Sequence, residues 1–131
     1  MGGNALKPLN LLLVEDNAAV GRAIAKSLRA QGHTVTLANS YAEARATTAS
    51  FDVGIFDIKL ARGNGIDALV EARRRVPGLV GIVMSNYATP QHRKASADAG
   101  AAYFLDKSAD FERITEILSA LSGGKTKGAS K

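Results

Sequence analysis

Five short apolar segments alternate with five stretches of helical periodicity along this 131-residue chain, and that alternation restricts the fold more than any other feature. "LNLLLVE" (9–15), "HTVTLA" (33–38), "FDVGIFD" (51–57), "LVGIVMS" (79–85) and "AAYFLDK" (101–107) read as strands. Between the first two, "AAVGRAIAKSLRAQG" (18–32) sets Val20, Ile24 and Leu28 on one helical face and closes at Gly32. "SYAEARATTAS" (40–50) opens with Ser40 and has Glu43 three residues later, a capping box. "GIDALVEARRRV" (65–76) is a helix stopped by Pro77-Gly78, Thr89-Pro90 opens another that runs to about Ala99, and "DFERITEILSAL" (110–121) is the last. Strict alternation specifies a parallel sheet, because parallel neighbours need long crossovers. The first, third and fourth strands are the most continuously apolar and belong in the centre; the second is the most polar and takes an edge. Right-handed crossovers with helices on both faces then predict a doubly wound α/β sheet of five strands in the order 2-1-3-4-5, flanked by five helices.

That topology brings distant residues to one rim. The first strand ends in Glu15-Asp16, the third in Asp57, the fourth in Ser85-Asn86 and the fifth in Asp106-Lys107. Any one of these alone is an ordinary turn former, cap or surface charge. The first and third strands are neighbours in this order, so Glu15, Asp16 and Asp57 crowd three carboxylates together, whose repulsion must be relieved by protonation, by a cation or by Lys107. Oxygen ligands of this kind point to Mg²⁺. The chemistry such a cluster supports is phosphoryl transfer onto a carboxylate, with Asp57 as nucleophile. Mg²⁺ on Asp16, with Glu15 acting nearby or through water, would offset charge that repels an incoming phosphoryl group. Lys107 would neutralise a phosphoryl oxygen and Ser85 would donate a hydrogen bond to it.

Composition narrows the remaining classes. With no Cys there are no disulfides and no thiolate metal site, which suits a reducing cytoplasm. The start, "MGGNALKPLN", lacks the apolar core of a secretory signal, and no apolar run is long enough to cross a bilayer. Three Lys of the net +5 lie in the last nine residues, "GGKTKGASK", which leaves +2 on the first 122. The division expected is an N-terminal extension (1–8), one domain (9–122) and a flexible basic tail (123–131). Arg73 to Arg75 sit late in a helix, where cations suit the dipole.

Over residues 9–122 the chain resembles the receiver domain of two-component response regulators. The resemblance rests on four elements in order: "VED" (14–16), "DIKLARGNG" (57–65), "VMSNYA" (83–88) and "FLDK" (104–107). It implies the flavodoxin-like receiver fold and phosphorylation of Asp57 by a partner histidine kinase or phosphotransfer protein. It also implies Mg²⁺ held by Asp16, Asp57 and the backbone carbonyl of Lys59. Phe104 falls at the family's aromatic switch position, which turns inward as the hydroxyl residue, here Ser85, moves toward the phosphate. That movement remodels the surface of the fourth helix, fifth strand and fifth helix. Such a protein runs no metabolic reaction, although it promotes its own phosphorylation and dephosphorylation. Its output goes to a downstream protein or a fused output domain. Direct DNA binding is not expected of this chain, since nine residues are too few for a helix-turn-helix. A homodimer across the switch surface is compatible with Arg93, Lys94, Asp98, Asp110, Glu112 and Arg113, a mixture of charges that is as often simply solvated.

The chain departs from the family at four places. Ser108 follows Lys107 where Pro is usual, and a cis bond before Ser would cost about 2.5–4 kcal/mol, which leaves the geometry of this peptide open in the sequence. Asn86 is bulkier than the usual residue after Ser85, Tyr87 could pack over the site, and Ala61 replaces a frequent Pro. A haloacid-dehalogenase-type phosphatase would want an acid two residues after Asp57, where Lys59 stands. A flavodoxin-type FMN site would want Ser, Thr and Gly where "EDNAAV" stands, and a P-loop enzyme would need a Gly-rich Lys-Ser/Thr loop. The alternative that remains is a receiver-like interaction module that signals by protein contact without phosphorylation.

Overall fold

Strand and helix follow one another through β1 (Asn10–Val14), α1 (Ala18–Ala30), β2 (Thr34–Ala38), α2 (Tyr41–Ala46), β3 (Val53–Asp57), α3 (Gly65–Arg75), β4 (Val80–Ser85), α4 (Pro90–Asp98), β5 (Tyr103–Asp106) and α5 (Arg113–Gly123). The computed structural model describes residues 7–47, 50–60, 63–110 and 112–123. Most of the expected N-terminal extension, nearly all of the expected tail, and Ala61 lie outside them. The strands form one parallel sheet in the order β2-β1-β3-β4-β5, as the apolar pattern predicts. Among the described residues no helix is long and apolar enough to cross a membrane.

The period of two along each strand divides the core. Leu11, Leu13, Ile55, Ile82, Met84 and Leu105 point to the face covered by α1 and α5, where they meet Ile24, Leu28, Ile114 and Leu118. Leu12, Val14, Phe56 and Val83 point to the other face, against Ala68, Leu69 and Ala72 of α3. β3 is buried at all five residues, so its continuous apolar run reports a strand covered on both sides. Each enclosed Leu, Ile or Phe contributes about 1.5–3 kcal/mol by leaving water.

Local chemistry sets the helix starts. Asn17 caps α1 by accepting the Val20 N–H at 3.0 Å, Asn64 caps α3 through Ile66 at 2.7 Å, and Thr89 caps α4 through His92 at 3.1 Å with Pro90 next. Ser40 accepts from Glu43 at 3.0 Å, while Glu43 reaches back to the Asn39 amide at 2.8 Å, one residue before the cap rather than at it.

Two helices are shorter than their sequences predict. α2 stops at Ala46 instead of running to 50, because Thr47 turns extended and bonds its hydroxyl to the Ala44 carbonyl at 2.8 Å. Arg75, from the end of α3, then binds the carbonyls of Thr47 (2.6 Å), Arg45 (3.2 Å) and Ala44 (3.3 Å). α5 begins at Arg113 rather than 110, because Asp110 folds back to accept the Asp106 N–H at 3.1 Å. No cis peptide bond occurs among the described residues, so Lys107–Ser108 is trans.

Lys7 and α5 hold each other: the Lys7 amide donates to the Ser122 carbonyl at 3.4 Å, and the Ser122 hydroxyl donates to the Lys7 carbonyl. Just before β2, buried His33 accepts the Leu9 N–H on Nδ1 at 3.2 Å. Burial holds its pKa below the ordinary histidine value, and a proton on Nδ1 would break the bond. The unfolded chain therefore takes up a proton that the folded chain resists. Stability tied to neutral His33 is complete above the ordinary histidine range and lost as pH falls through it. In thermal melts between pH 8 and pH 5.5, wild type is expected to lose more stability than His33→Asn, whose Oδ1 can accept the same N–H. Equal slopes would show that His33 does not titrate on unfolding.

Candidate functional site

The carboxyl ends of β1, β3 and β5 meet at one rim of the sheet. Glu15 leaves β1 with its amide bonded to Ala38 at 3.0 Å and its carbonyl taken by the Asn39 side chain at 2.9 Å. Its backbone is thus tied to β2 on both sides, and its carboxylate, on a residue only 1% exposed, turns into the rim. One oxygen accepts the Asn17 N–H at 3.1 Å and the other accepts Nζ of Lys107 at 2.6 Å. Asp57 ends β3 and accepts the same Nζ at 3.0 Å and the Lys59 N–H at 3.3 Å. Asp16 is half-buried beside them, and the Glu15, Asp16 and Asp57 carboxylates each place an oxygen within 4.8 Å of the others. These residues line an open cavity of about 520 Å³, with Val20, Leu60 and Tyr87 at its sides.

The electrostatics follow from burial and from shared charge. Desolvation pushes the Glu15 carboxyl up, and the Lys107 bond and the Asn17 amide only partly reverse it, so its pKa lies above the usual glutamate value. Burial alone would push the Lys107 ammonium down, but its hydrogen bonds to Glu15 and Asp57 outweigh that and hold its pKa above the ordinary lysine value. Lys107 is thus a fixed cation bridging two acids, and the cluster retains excess negative charge.

The loop after β3 is drawn tightly under Asp57. Lys59 and Asn64 bridge across it, and the Gly65 amide donates to the Ile58 carbonyl at 2.9 Å. A Cβ built on Gly65 would stand 1.8 Å from the Asp57 carbonyl oxygen, so only glycine lets α3 begin against the backbone of Asp57. The loop after β4 is built differently. Ser85 is buried, and its hydroxyl accepts the Tyr87 N–H at 2.9 Å and donates to the Tyr87 carbonyl at 3.0 Å. Tyr87 is 58% exposed, with the Lys59 ammonium 5.4 Å from its ring centroid. Phe104 is half-buried in β5, and the Arg93 guanidinium of α4 stacks 4.8 Å from its ring.

Of the residues singled out from sequence, Glu15, Asp16, Asp57 and Lys107 converge. Asn86 and Tyr87 line the same cavity, and the Ser85 hydroxyl is engaged by its own loop. Lys94 and Asp98 pair within α4 at 2.9 Å on an exposed surface, and Asp110 is used by Asp106, so part of the charge set on that face is satisfied inside the chain. Asn39 and Gly65 carry no individual role in the sequence reading. The signal available for each was an Asn or Gly directly beside a strand end or at the start of a helix.

A family profile described as response regulator receiver domain matches residues 11–119. The photosynthetic apparatus regulatory protein RegA of Cereibacter sphaeroides is 30% identical over 85% of this chain and 61% of its own length. The acid tolerance regulatory protein ActR of Rhizobium meliloti is 32% identical over 86% of this chain and 57% of its own. The chain therefore spans roughly 60% of the length of these curated relatives. In fold it is similar to the Thermotoga maritima response regulator TrrA, solved in complex with Mg(2+)-BeF, with a TM-score of 0.75 at 23% identity, covering 86% of this chain and 97% of that one.

One ammonium serving crowded acids makes opposite substitutions act in opposite directions. In buffer free of divalent ions, Lys107→Met strands two buried carboxylates and is expected to lower unfolding free energy by about 1–3 kcal/mol in urea. Asp57→Asn removes one of the repelling charges and is expected to raise the urea midpoint. Stabilisation by both variants, or by neither, would mean that charge balance does not govern this rim.

Proposed function

This chain belongs to the response regulator receiver domain family, and from that premise we propose that Asp57 is a phosphoryl acceptor served by a histidine kinase or a phosphotransfer protein. The observation that carries the reading is the Asp57 carboxylate bonded to Nζ of Lys107 at 3.0 Å, beside Glu15 and Asp16, in a cavity open to a donor. In the transfer, an Asp57 oxygen forms a bond to phosphorus as the bond from phosphorus to the donor imidazole nitrogen breaks. The electron pair leaves with the imidazole, which takes a proton from solvent, and Asp57 becomes an aspartyl phosphate. Lys107, held protonated, lies where a phosphoryl oxygen gains charge.

Three carboxylates with an oxygen each inside 4.8 Å, and excess negative charge beyond what Lys107 offsets, fit a hard divalent cation. Asp16, Asp57 and the Lys59 carbonyl would hold Mg²⁺, with Glu15 acting indirectly. Bound there, Mg²⁺ supplies charge neutralisation for an incoming phosphoryl group. Ser85 donates its hydroxyl to the phosphoryl oxygen once it gives up the Tyr87 carbonyl, and Phe104 reports that movement to the surface of α4, β5 and α5. Two features support this readout. α4 buries only Ser96 of its nine residues, so little packing holds it in place, and Arg93 of that helix stacks on Phe104, three residues before Lys107. The changed surface signals to a downstream protein or a fused output domain.

Incubation with Mg²⁺ and acetyl phosphate, followed by intact mass measurement, is expected to show a single phosphoryl adduct. Asp57→Asn should abolish the adduct, and chelation of Mg²⁺ or Asp16→Ala should reduce it at least about tenfold. An unlabelled wild type, beside a receiver that labels in the same tube, would favour the interaction module that works without phosphorylation.

A further inference from the structure

The carbonyl of Tyr87 carries more donors than it has lone pairs. The Ser85 hydroxyl reaches it at 3.0 Å, the Thr89 amide at 2.9 Å and Nδ1 of His92 at 2.7 Å. A carbonyl oxygen only accepts, so His92 must carry a proton on Nδ1. With two lone pairs shared among three donors, each bond weakens the others, and the longest of the three is that of Ser85. The other two donors are fixed by the start of α4. Thr89 is its cap, and His92 sits in its first turn, with its amide on the Thr89 hydroxyl at 3.1 Å and its carbonyl accepting the buried Ser96 hydroxyl at 2.8 Å. The Ser85 hydroxyl, by contrast, turns about one side-chain bond.

We infer that His92 is a positioning residue for the phosphoryl site. By occupying the Tyr87 carbonyl, it loosens that carbonyl's hold on Ser85 and frees the hydroxyl to turn toward a phosphoryl oxygen on Asp57. The inference rests on the phosphoryl chemistry proposed above. The asymmetry of hydrogen bonding supports it: an acceptor left short of partners costs more than a third, surplus bond contributes. With His92 in place, the departing hydroxyl leaves behind a carbonyl that still has two donors. Without His92, the same departure leaves it with the Thr89 amide alone.

Beryllofluoride with Mg²⁺, titrated calorimetrically, is the probe, because it presents the geometry of a phosphoryl group without covalent turnover. Relative to wild type, His92→Leu is expected to bind about threefold to tenfold more weakly, the equivalent of roughly one hydrogen bond. His92→Asn places an amide donor where Nδ1 stood and should restore binding, whereas His92→Gln carries its amide one atom further out and should behave like His92→Leu. In a Ser85→Ala background, His92→Leu should have no effect, since no hydroxyl remains to release. Wild-type affinity in His92→Leu and His92→Gln would overturn the inference alone, as would an equal loss with and without Ser85. A wild-type protein that takes up no beryllofluoride would overturn the phosphoryl reading and this inference with it.

Discussion

The ammonium of Lys107 holds together groups that would otherwise push apart, and the rim of the sheet is arranged around it. Neighbouring strands lie about 4.8 Å apart. In the order β1-β3-β4-β5, Lys107 stands two strands from Asp57 and three from Glu15. The salt bridges close because the far partner is the longer acid and because β4, which lies between, ends in the small Ser85. The acid types are thus matched to their strands: the shorter Asp on β3, the longer Glu on β1.

Everything else at the rim serves or limits that contact. Ala38 and Asn39 anchor the backbone of Glu15 from β2, and the Asn17 amide holds its second carboxylate oxygen. The end of β5 is fixed by the Lys107 amide on the Ser85 carbonyl at 2.9 Å, and the turn beyond it closes where Ser108 donates both its amide and its hydroxyl to Asp106. These bonds hold the acids close without removing their excess charge, which is the condition for taking up a cation and then a phosphoryl group in the proposed chemistry.

The strand order was legible because the strongest signals, continuous apolar runs and strict alternation, are local and agree with one another. The convergence of Glu15, Asp16, Asp57 and Lys107 followed from the topology alone. What was not legible depends on partners far away or on the conformation of a loop. The early end of α2 is shared with Arg75, about thirty residues on, whose guanidinium donates to the carbonyls of Ala44, Arg45 and Thr47. Arg73 likewise bonds the Leu79 carbonyl at 2.8 Å, so two members of the "RRR" run clamp neighbouring segments rather than merely suiting a dipole. The late start of α5 reflects the choice of Asp110 to serve Asp106. The engagement of the Ser85 hydroxyl by Tyr87 needs the turn after β4 to be known first.

Gly65 gives the site a direction. With the main chain of α3 resting against the Asp57 carbonyl, the nucleophile's own backbone has no slack on that flank. On the opposite flank stand a rotatable hydroxyl, an over-subscribed carbonyl and a helix with a single buried residue. Under the proposed chemistry, bulk and charge added at residue 57 press against an anvil on one side and a hinge on the other. In that proposal the change would run outward through Ser85 and Phe104 toward α4 and β5, with α3 held against Asp57.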